Sequence, residues 1–141
     1  MERRGIRVIV RSGVSSDVRL AVHKFINWIR KRNEFPVRFP IYIKPVKVFI
    51  EKDGEETEAI FFKTFDRKEE PYLSVAVGDY EDWLDKLGNK NDALCTILNS
   101  VAYGIACYER WIEGTDITED YTEKRKREIM KAYMASVDSP I

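Results

Sequence analysis

The first third of the chain changes from a strand pattern to a helical one. Ile6–Val10 (IRVIV) is a short β-branched run followed by a Ser-Gly pair, which predicts a strand and a turn. Behind a serine cap at Ser15 or Ser16, apolar side chains recur at helical spacing over residues 17–32. This face is expected to pack on a sheet, and its members are Val18, Ala21, Val22, Phe25, Trp28 and Ile29.

The next segment is interrupted by Pro36, Pro40 and Pro45. Because proline cannot donate to a strand ladder, the sequence predicts an edge or irregular strand here, followed by a firmer strand over 46–51. A Lys-Asp-Gly turn then leads into a strand over 58–65, and the two strands are predicted to form a hairpin.

The second half of the chain predicts one more strand and three helices. A strand over 72–77, expected at an edge, precedes a short helix that Gly88 stops. The longest regular segment begins at Asn91 or Asp92 and ends at Gly114. Thr118 caps a last helix that is predicted to reach residue 136.

These elements predict one α+β domain over residues 1–141. Its small mixed sheet of about four strands is expected to pack with a long N-terminal helix, a central helix and a C-terminal helix. The composition, 44% hydrophobic and 12% aromatic, supports one folded core.

Charge and targeting signals narrow the possible partners. Twenty-four basic residues balance twenty-four acidic ones, so no global field draws the chain to nucleic acid or to an anionic membrane, and neither partner is predicted. The basic runs at 30–32 and 124–127 are expected to be solvated, because no aromatic residues interleave with them. The N-terminal apolar run is shorter than a signal-peptide core, which predicts a cytoplasmic protein.

The two cysteines, Cys95 and Cys107, fall on the predicted central helix. Twelve residues at a rise of ~1.5 Å each separate them by ~18 Å, beyond the reach of a disulfide. The sequence therefore predicts two free thiols.

The central helix has an unusual pattern. One narrow stripe is apolar and is predicted to be buried: Leu94, Ile97, Leu98, Val101, Ile105, Tyr108 and Ile112. The opposite side carries no charge and is expected to be covered or to line a cleft, with Thr96, Ser100, Tyr103 and Cys107 on it. Gly104 in mid-helix costs about 1 kcal/mol relative to alanine, which predicts a close neighbour at that position.

Residues 98–111, LNSVAYGIACYERW, resemble the active helix of the zincin metallopeptidases, in particular the small gluzincin-like ones, which reads roughly L-x-x-x-x-H-E-x-x-H-Y-x-Q-W. Tyr108 and Trp111 match at the right offsets. Tyr103, Gly104 and Cys107 stand where the first histidine, the glutamate and the second histidine would be. The order of elements resembles the family over most of the chain.

The resemblance implies a site that has lost its chemistry. The family's mechanism needs two imidazoles one helical turn apart and a carboxylate that acts as the base for the zinc-bound water. In gluzincins a glutamate of the following helix is the third ligand, and Glu119 or Glu123 is the candidate vestige of it. The resemblance thus implies no catalytic residue, no metal and no cofactor.

Three functional hypotheses follow. The first is a catalytically inactive zincin-like protein whose cleft still binds a peptide or protein, with the strand over 72–77 open to β-augmentation. The second is a metal-dependent hydrolase with a non-standard site built from Cys107 and Glu119 or Glu123. The third is a structural protein that self-associates through the uncharged helix face.

Each candidate residue also has an ordinary structural explanation. Tyr103 and Cys107 are typical of packing, and both glutamates are typical of a helix's first turn. His23, the one histidine, lies on the polar side of its helix and is expected to be solvated. The tryptophans are expected to fill the core or its rim, at positions 28, 83 and 111.

Overall fold

The computed structural model describes residues 5–64, 66 and 69–136, which form an α+β fold. The strands are β1 (Ile6–Val10), β2 (Phe39–Lys44), β3 (Phe49–Ile50), β4 (Glu56–Thr57), β5 (Ala59–Phe62) and β6 (Tyr72–Ala76). The helices are α1 (Ser16–Arg32), α2 (Tyr80–Leu87), α3 (Lys90–Glu113) and α4 (Glu119–Met134). Phe65, the last residue of the strand predicted over 58–65, and Val137, one residue beyond the predicted end of the last helix, lie outside the described residues.

Four of the strands form a mixed sheet in the order β1-β2-β6-β5. β1, β2 and β6 are parallel, whereas β5 runs antiparallel to β6. On β2, Phe39, Ile41 and Ile43 are fully buried, while Tyr42 and Lys44 on the opposite face are partly exposed. Because α1 and α3 pack on the buried face, the sheet has one covered side and one open side.

The strand predicted over 72–77 is not an edge, which corrects the sequence interpretation. β6 pairs with β2 on one side and with β5 on the other, and Leu73 and Val75 are fully buried. A continuous buried run of this kind is typical of an interior strand. The edges of the sheet are β1 and β5.

The predicted edge or irregular strand is likewise an interior one, β2. Pro40 is tolerated there because pairing with β6 begins only at Ile41, so the missing N–H faces no ladder partner. The predicted hairpin exists, but it pairs only two residues of β3 with two of β4. Its second arm then continues as β5 and joins the main sheet.

The helices follow their local signals closely. Ser15 caps α1 and Thr118 caps α4, as predicted. α3 begins slightly earlier than predicted, with Asn89 as its cap, and ends at Gly114 in the left-handed conformation. The predicted apolar stripe of α3 is buried except for Ile112, which is half-buried.

The remaining structural predictions concern single residues. Cys95 and Cys107 are both free thiols, as predicted. Trp28 and Trp111 are buried and Trp83 is half-buried, while His23 is exposed. Within the described part of the chain, no helix combines the length and the apolar character that a bilayer span requires.

Candidate functional site

A cleft of about 590 Å³ lies along the uncharged side of α3, and we call it the α3 cleft. Its floor is formed by α3, one wall by the β3–β4 hairpin and the start of β5, and the other wall by α4. The lining residues are Val48, Glu51, Glu56, Thr57, Glu58, Ala59, Thr96, Asn99, Ser100, Tyr103, Glu123 and Lys126. The prediction that Thr96, Ser100 and Tyr103 line a cleft is confirmed.

The edge of β5 borders this cleft. The Ala76 amide donates to the Glu58 carbonyl at 2.8 Å, so alternate residues of β5 face β6 and the peptide groups of Ala59 and Phe61 face outward. Among the described residues, no strand pairs with that outer edge. The Thr57 hydroxyl donates to the Ala59 carbonyl at 3.1 Å and accepts from the Ala59 amide at 3.5 Å, so the outward peptide groups of Ala59 are already engaged by a side chain.

Tyr103 and Cys107 are coupled within α3. The Tyr103 hydroxyl donates a hydrogen bond to the Cys107 sulfur, and Cys107 is only 1% exposed. Burial raises the pKa of Cys107 to about 11, although the tyrosine hydrogen bond opposes this shift. Burial, together with Cys107, Glu51 and Glu119, raises the pKa of Tyr103 to about 12. Both groups therefore keep their protons at neutral pH.

Gly104 has the close neighbour that the sequence predicts. A Cβ placed on this glycine would lie 2.2 Å from Cδ2 of Leu73, a fully buried residue of β6. The side chain of Leu73 therefore occupies the volume that a larger residue at position 104 would need. Glycine at this position is explained by the close approach of α3 to the sheet.

The two candidate vestigial glutamates differ in position. Glu123 lines the cleft and pairs with Lys126 at 3.0 Å. Glu119 is exposed, and its charge contributes only weakly to the raised pKa of Tyr103. The structure thus brings Tyr103 and Glu123 to one cleft, while Cys107 and Gly104 lie beneath it and face the core.

A carboxyl pair that the sequence does not suggest lies at the hairpin wall. Glu58 contacts Asp79, and burial, followed by the charge and the hydrogen bond of Asp79, raises the pKa of Glu58 to about 7. Trp83 Nε1 donates to Asp79 Oδ2 at 2.8 Å, while Asp79 Oδ1 is buried and accepts from no N–H of the described residues. A proton on Glu58 supplies the hydrogen bond that this pair needs.

Stability should depend on pH through Glu58. Since its folded pKa is raised from 4.5 to about 7, the protonated form stabilises the fold fully below pH 4.5, and that contribution is lost as pH rises through 7. Glu58→Gln should therefore raise the free energy of unfolding by about 1 kcal/mol at pH 8.5 and change it little at pH 4.5, after discounting for solvent screening. Urea unfolding at both pH values measures this difference.

Glu56→Gln is the matched control for that experiment, because Glu56 is an exposed neighbour on the same hairpin. It should leave the pH dependence of unfolding as it is in the original chain. Equal curves for Glu58→Gln and the original chain at pH 8.5 would contradict the shared-proton interpretation.

The cleft does not assemble a transition-metal site from the described residues. His23 is the only histidine of the chain and lies on the exposed side of α1. The one group of three potential ligands among the described residues, Glu51, Asp53 and Glu55, is exposed at the hairpin turn. Carboxylates alone suit hard cations and not zinc at a catalytic site.

Comparisons of the chain with family models, with curated proteins and with solved structures found no match. The resemblance of residues 98–111 to a zincin active helix therefore stays a prediction from the sequence.

Proposed function

We propose that this chain is a zincin-like pseudoenzyme that binds an extended peptide in the α3 cleft and does not cleave it. The observation that carries the proposal is the cleft itself, in which a strand edge that no described strand pairs with borders the uncharged face of the central helix. A peptide laid along β5 can pair with the outward peptide groups of Phe61, and with those of Ala59 once it displaces the Thr57 hydroxyl, by β-augmentation. The augmentable edge is β5, not the interior strand that the sequence suggested.

The chemistry of the cleft supports binding without turnover. At neutral pH Tyr103 and Cys107 stay protonated, so neither provides an anionic metal ligand or a base. Gly104 has no side chain, and Leu73 fills the space beside it. The non-standard hydrolase hypothesis is weakened by the same facts, because Cys107 is buried beneath the cleft.

The charge of the lining indicates the class of peptide. Four carboxyl side chains line the cleft; Glu123 pairs with Lys126 and Glu58 shares a proton with Asp79, which leaves Glu51 and Glu56 as carboxylates with no cationic partner among the described residues. Such an imbalance attracts cations. A peptide with lysine or arginine side chains fits the cleft better than an acidic one.

The first test is the metal content of untagged protein purified without added metal or chelator, measured by elemental mass spectrometry. We expect far less than one zinc or other transition metal per chain. About one metal per chain, lost in Cys107→Ser, would overturn the pseudoenzyme proposal and favour the hydrolase.

The second test is binding of a defined peptide. A decapeptide of alternating lysine and valine, titrated into ¹⁵N-labelled protein, should shift the amide signals of Ala59 and Phe61 and those of the cleft face of α3. The matching glutamate–valine peptide should shift them much less. If neither peptide shifts the β5 signals, the peptide-binding half of the proposal is wrong.

Charge variants locate the site. Glu51→Gln with Glu56→Gln should weaken binding of the basic peptide at low salt, because it removes two of the lining charges. Glu113→Gln with Asp116→Asn removes the same charge from exposed positions outside the cleft and should leave the affinity within about twofold. Equal losses in both variants would show bulk attraction and not a site.

A further inference from the structure

The open side of the main sheet carries an aromatic row across three strands. We call this surface the open sheet face; its aromatic members are Tyr42 on β2, Tyr72 on β6 and Phe62 on β5. Phe62 is 49% exposed and Tyr72 is 36% exposed. Their rings stack on each other with centroids 4.9 Å apart, and Tyr42 meets Tyr72 edge-on at 5.8 Å. The row is therefore an ordered surface of aromatic groups, held by contacts among its own members.

Basic side chains border this row on the edge strand. Arg7 is exposed on β1, and Arg11, also exposed, follows directly after that strand. Four residues at ~3.3 Å each place them about 13 Å apart along one side of the sheet. Neither has a salt-bridge partner among the described residues, and the Arg11 guanidinium lies 5.4 Å from the centre of the Tyr42 ring.

Two further cations extend the border. Lys44 ends β2 on the open face. Arg30 of α1 reaches the strand edge, where Nη2 donates to the Ile6 carbonyl at 2.9 Å, and no carboxylate of residues 5–64, 66 or 69–136 pairs with it. A small pocket of about 300 Å³ at this edge includes Arg7, Arg30 and Arg38; within the described part of the chain, Arg38 alone of these has an acidic partner, Glu70.

We propose that the open sheet face binds a single-stranded nucleic acid, with bases stacked on the aromatic row of Phe62, Tyr72 and Tyr42 and phosphates held by the arginines of the β1 edge. Single strands bind to surfaces that combine stacking aromatics with a positive track for the backbone, and four-stranded sheets with one open face provide both. The balanced charge of the whole chain does not oppose this, because Arg7, Arg11 and Lys44 lie close to the aromatic row and form a local basic border. This site is separate from the α3 cleft.

Other occupants fit the face less well. A second copy of the chain, docked sheet to sheet, would bring Arg7, Arg11 and Lys44 against an equally basic surface. An acidic protein would satisfy the cations but has no need of a flat aromatic row.

Fluorescence anisotropy of the full chain with labelled twelve-nucleotide oligo-U and oligo-dT tests the proposal. We expect a Kd of about 10 to 100 µM near physiological salt that weakens steeply as salt rises. Phe62→Ala with Tyr72→Ala should weaken binding about tenfold, because each stacked base is lost from its ring. Arg7→Glu with Arg11→Glu should weaken binding and reduce its salt dependence.

Matched variants separate a site from bulk charge. Lys124→Glu with Lys131→Glu makes the same charge change at exposed positions of α4 and should leave the affinity within about twofold. Circular dichroism of each variant establishes that it is folded before binding is measured.

Several outcomes would overturn the proposal. They are no binding at 100 µM protein, equal losses in the β1 and α4 charge variants, and unchanged affinity in the folded aromatic variant. Binding to vesicles of anionic lipid without binding to either oligonucleotide would assign the face to a membrane. A dimer in light scattering that Phe62→Ala dissociates, without oligonucleotide binding, would assign it to self-association.

Discussion

Gly104→Ala is expected to lower the free energy of unfolding by about 2 kcal/mol, although alanine is the better helix former. The added Cβ would meet three atoms of Leu73 at 2.2, 2.7 and 2.8 Å, and Leu73 is fully buried between two neighbouring strands. Overpacking of this kind costs about 3 kcal/mol at its upper end. The gain in helix propensity, about 1 kcal/mol, offsets only part of that cost.

Urea unfolding of a double-mutant cycle measures this contact. Leu73→Ala alone should cost about 3 kcal/mol through the cavity it leaves. Combined with Gly104→Ala, it should cost at least about 1 kcal/mol less than the sum of the single changes, because the new methyl group enters that cavity. Ser100→Ala, on the cleft side of the same helix, is the control and should stay within about 0.5 kcal/mol. Additive costs, or a Gly104→Ala variant that is more stable, would contradict the packing.

The same contact bears on the proposed loss of catalysis. A glutamate at position 104 would need the space that Leu73 occupies, so packing disfavours the family's residue there. A histidine at position 107 would meet a second obstacle, because Cys107 is buried. On this side the helix serves packing.

Local signals in the sequence predicted most of the helices. The caps Ser15 and Thr118, the glycine stops and the apolar stripe of α3 each depend on residues within a few positions of one another. Gly104 is predicted to approach a neighbour closely for the same reason, because a glycine in mid-helix costs about 1 kcal/mol relative to alanine. The identity of its neighbour, Leu73, depended on tertiary packing.

Strand order could not be read in this way. The sequence placed 72–77 at an edge and Phe39–Lys44 outside the centre, whereas both are interior strands. Proline at position 40 is typical of an edge strand. It is tolerated in this interior strand because β2 pairs with β6 only from Ile41 onward, so no ladder hydrogen bond is lost. The order of strands in a sheet depends on pairing between segments that are distant in the sequence. The periodicity within one segment carries no information about that pairing.

Two features of the sites could not be predicted from the sequence, because they too depend on strand pairing. Glu58 and Asp79 meet only because β5 pairs with β6, which places the residue before one strand beside the end of the other. The basic and aromatic residues of the open sheet face interleave across strands, from Arg7 to Tyr42 and Tyr72, and not along the chain. The basic runs at 30–32 and 124–127 therefore contain no such interleaving themselves.

Tyr108→Phe is expected to lower the free energy of unfolding by about 2 kcal/mol. The buried Tyr108 hydroxyl donates to the Val37 carbonyl at 2.6 Å and accepts from the Val37 amide at 3.0 Å, which ties the segment before β2 to the central helix.

Phenylalanine keeps the stacking on Phe39, with ring centroids 4.8 Å apart. It leaves the carbonyl and the amide of Val37 without their hydrogen-bond partner, and the loss of such a pair costs about 1–3 kcal/mol. Urea unfolding measures the loss, and hydrogen exchange should show faster exchange at the Val37 amide. Tyr72→Phe, whose hydroxyl lies on the exposed sheet face, is the control and should change stability by less than about 0.5 kcal/mol. If the two variants proved equally stable, the hydrogen bonds of the Tyr108 hydroxyl to Val37 would contribute nothing measurable to stability. If Tyr108→Phe alone is destabilised, the tyrosine that matches the family pattern is accounted for by packing and hydrogen bonding within the fold, with no metal required.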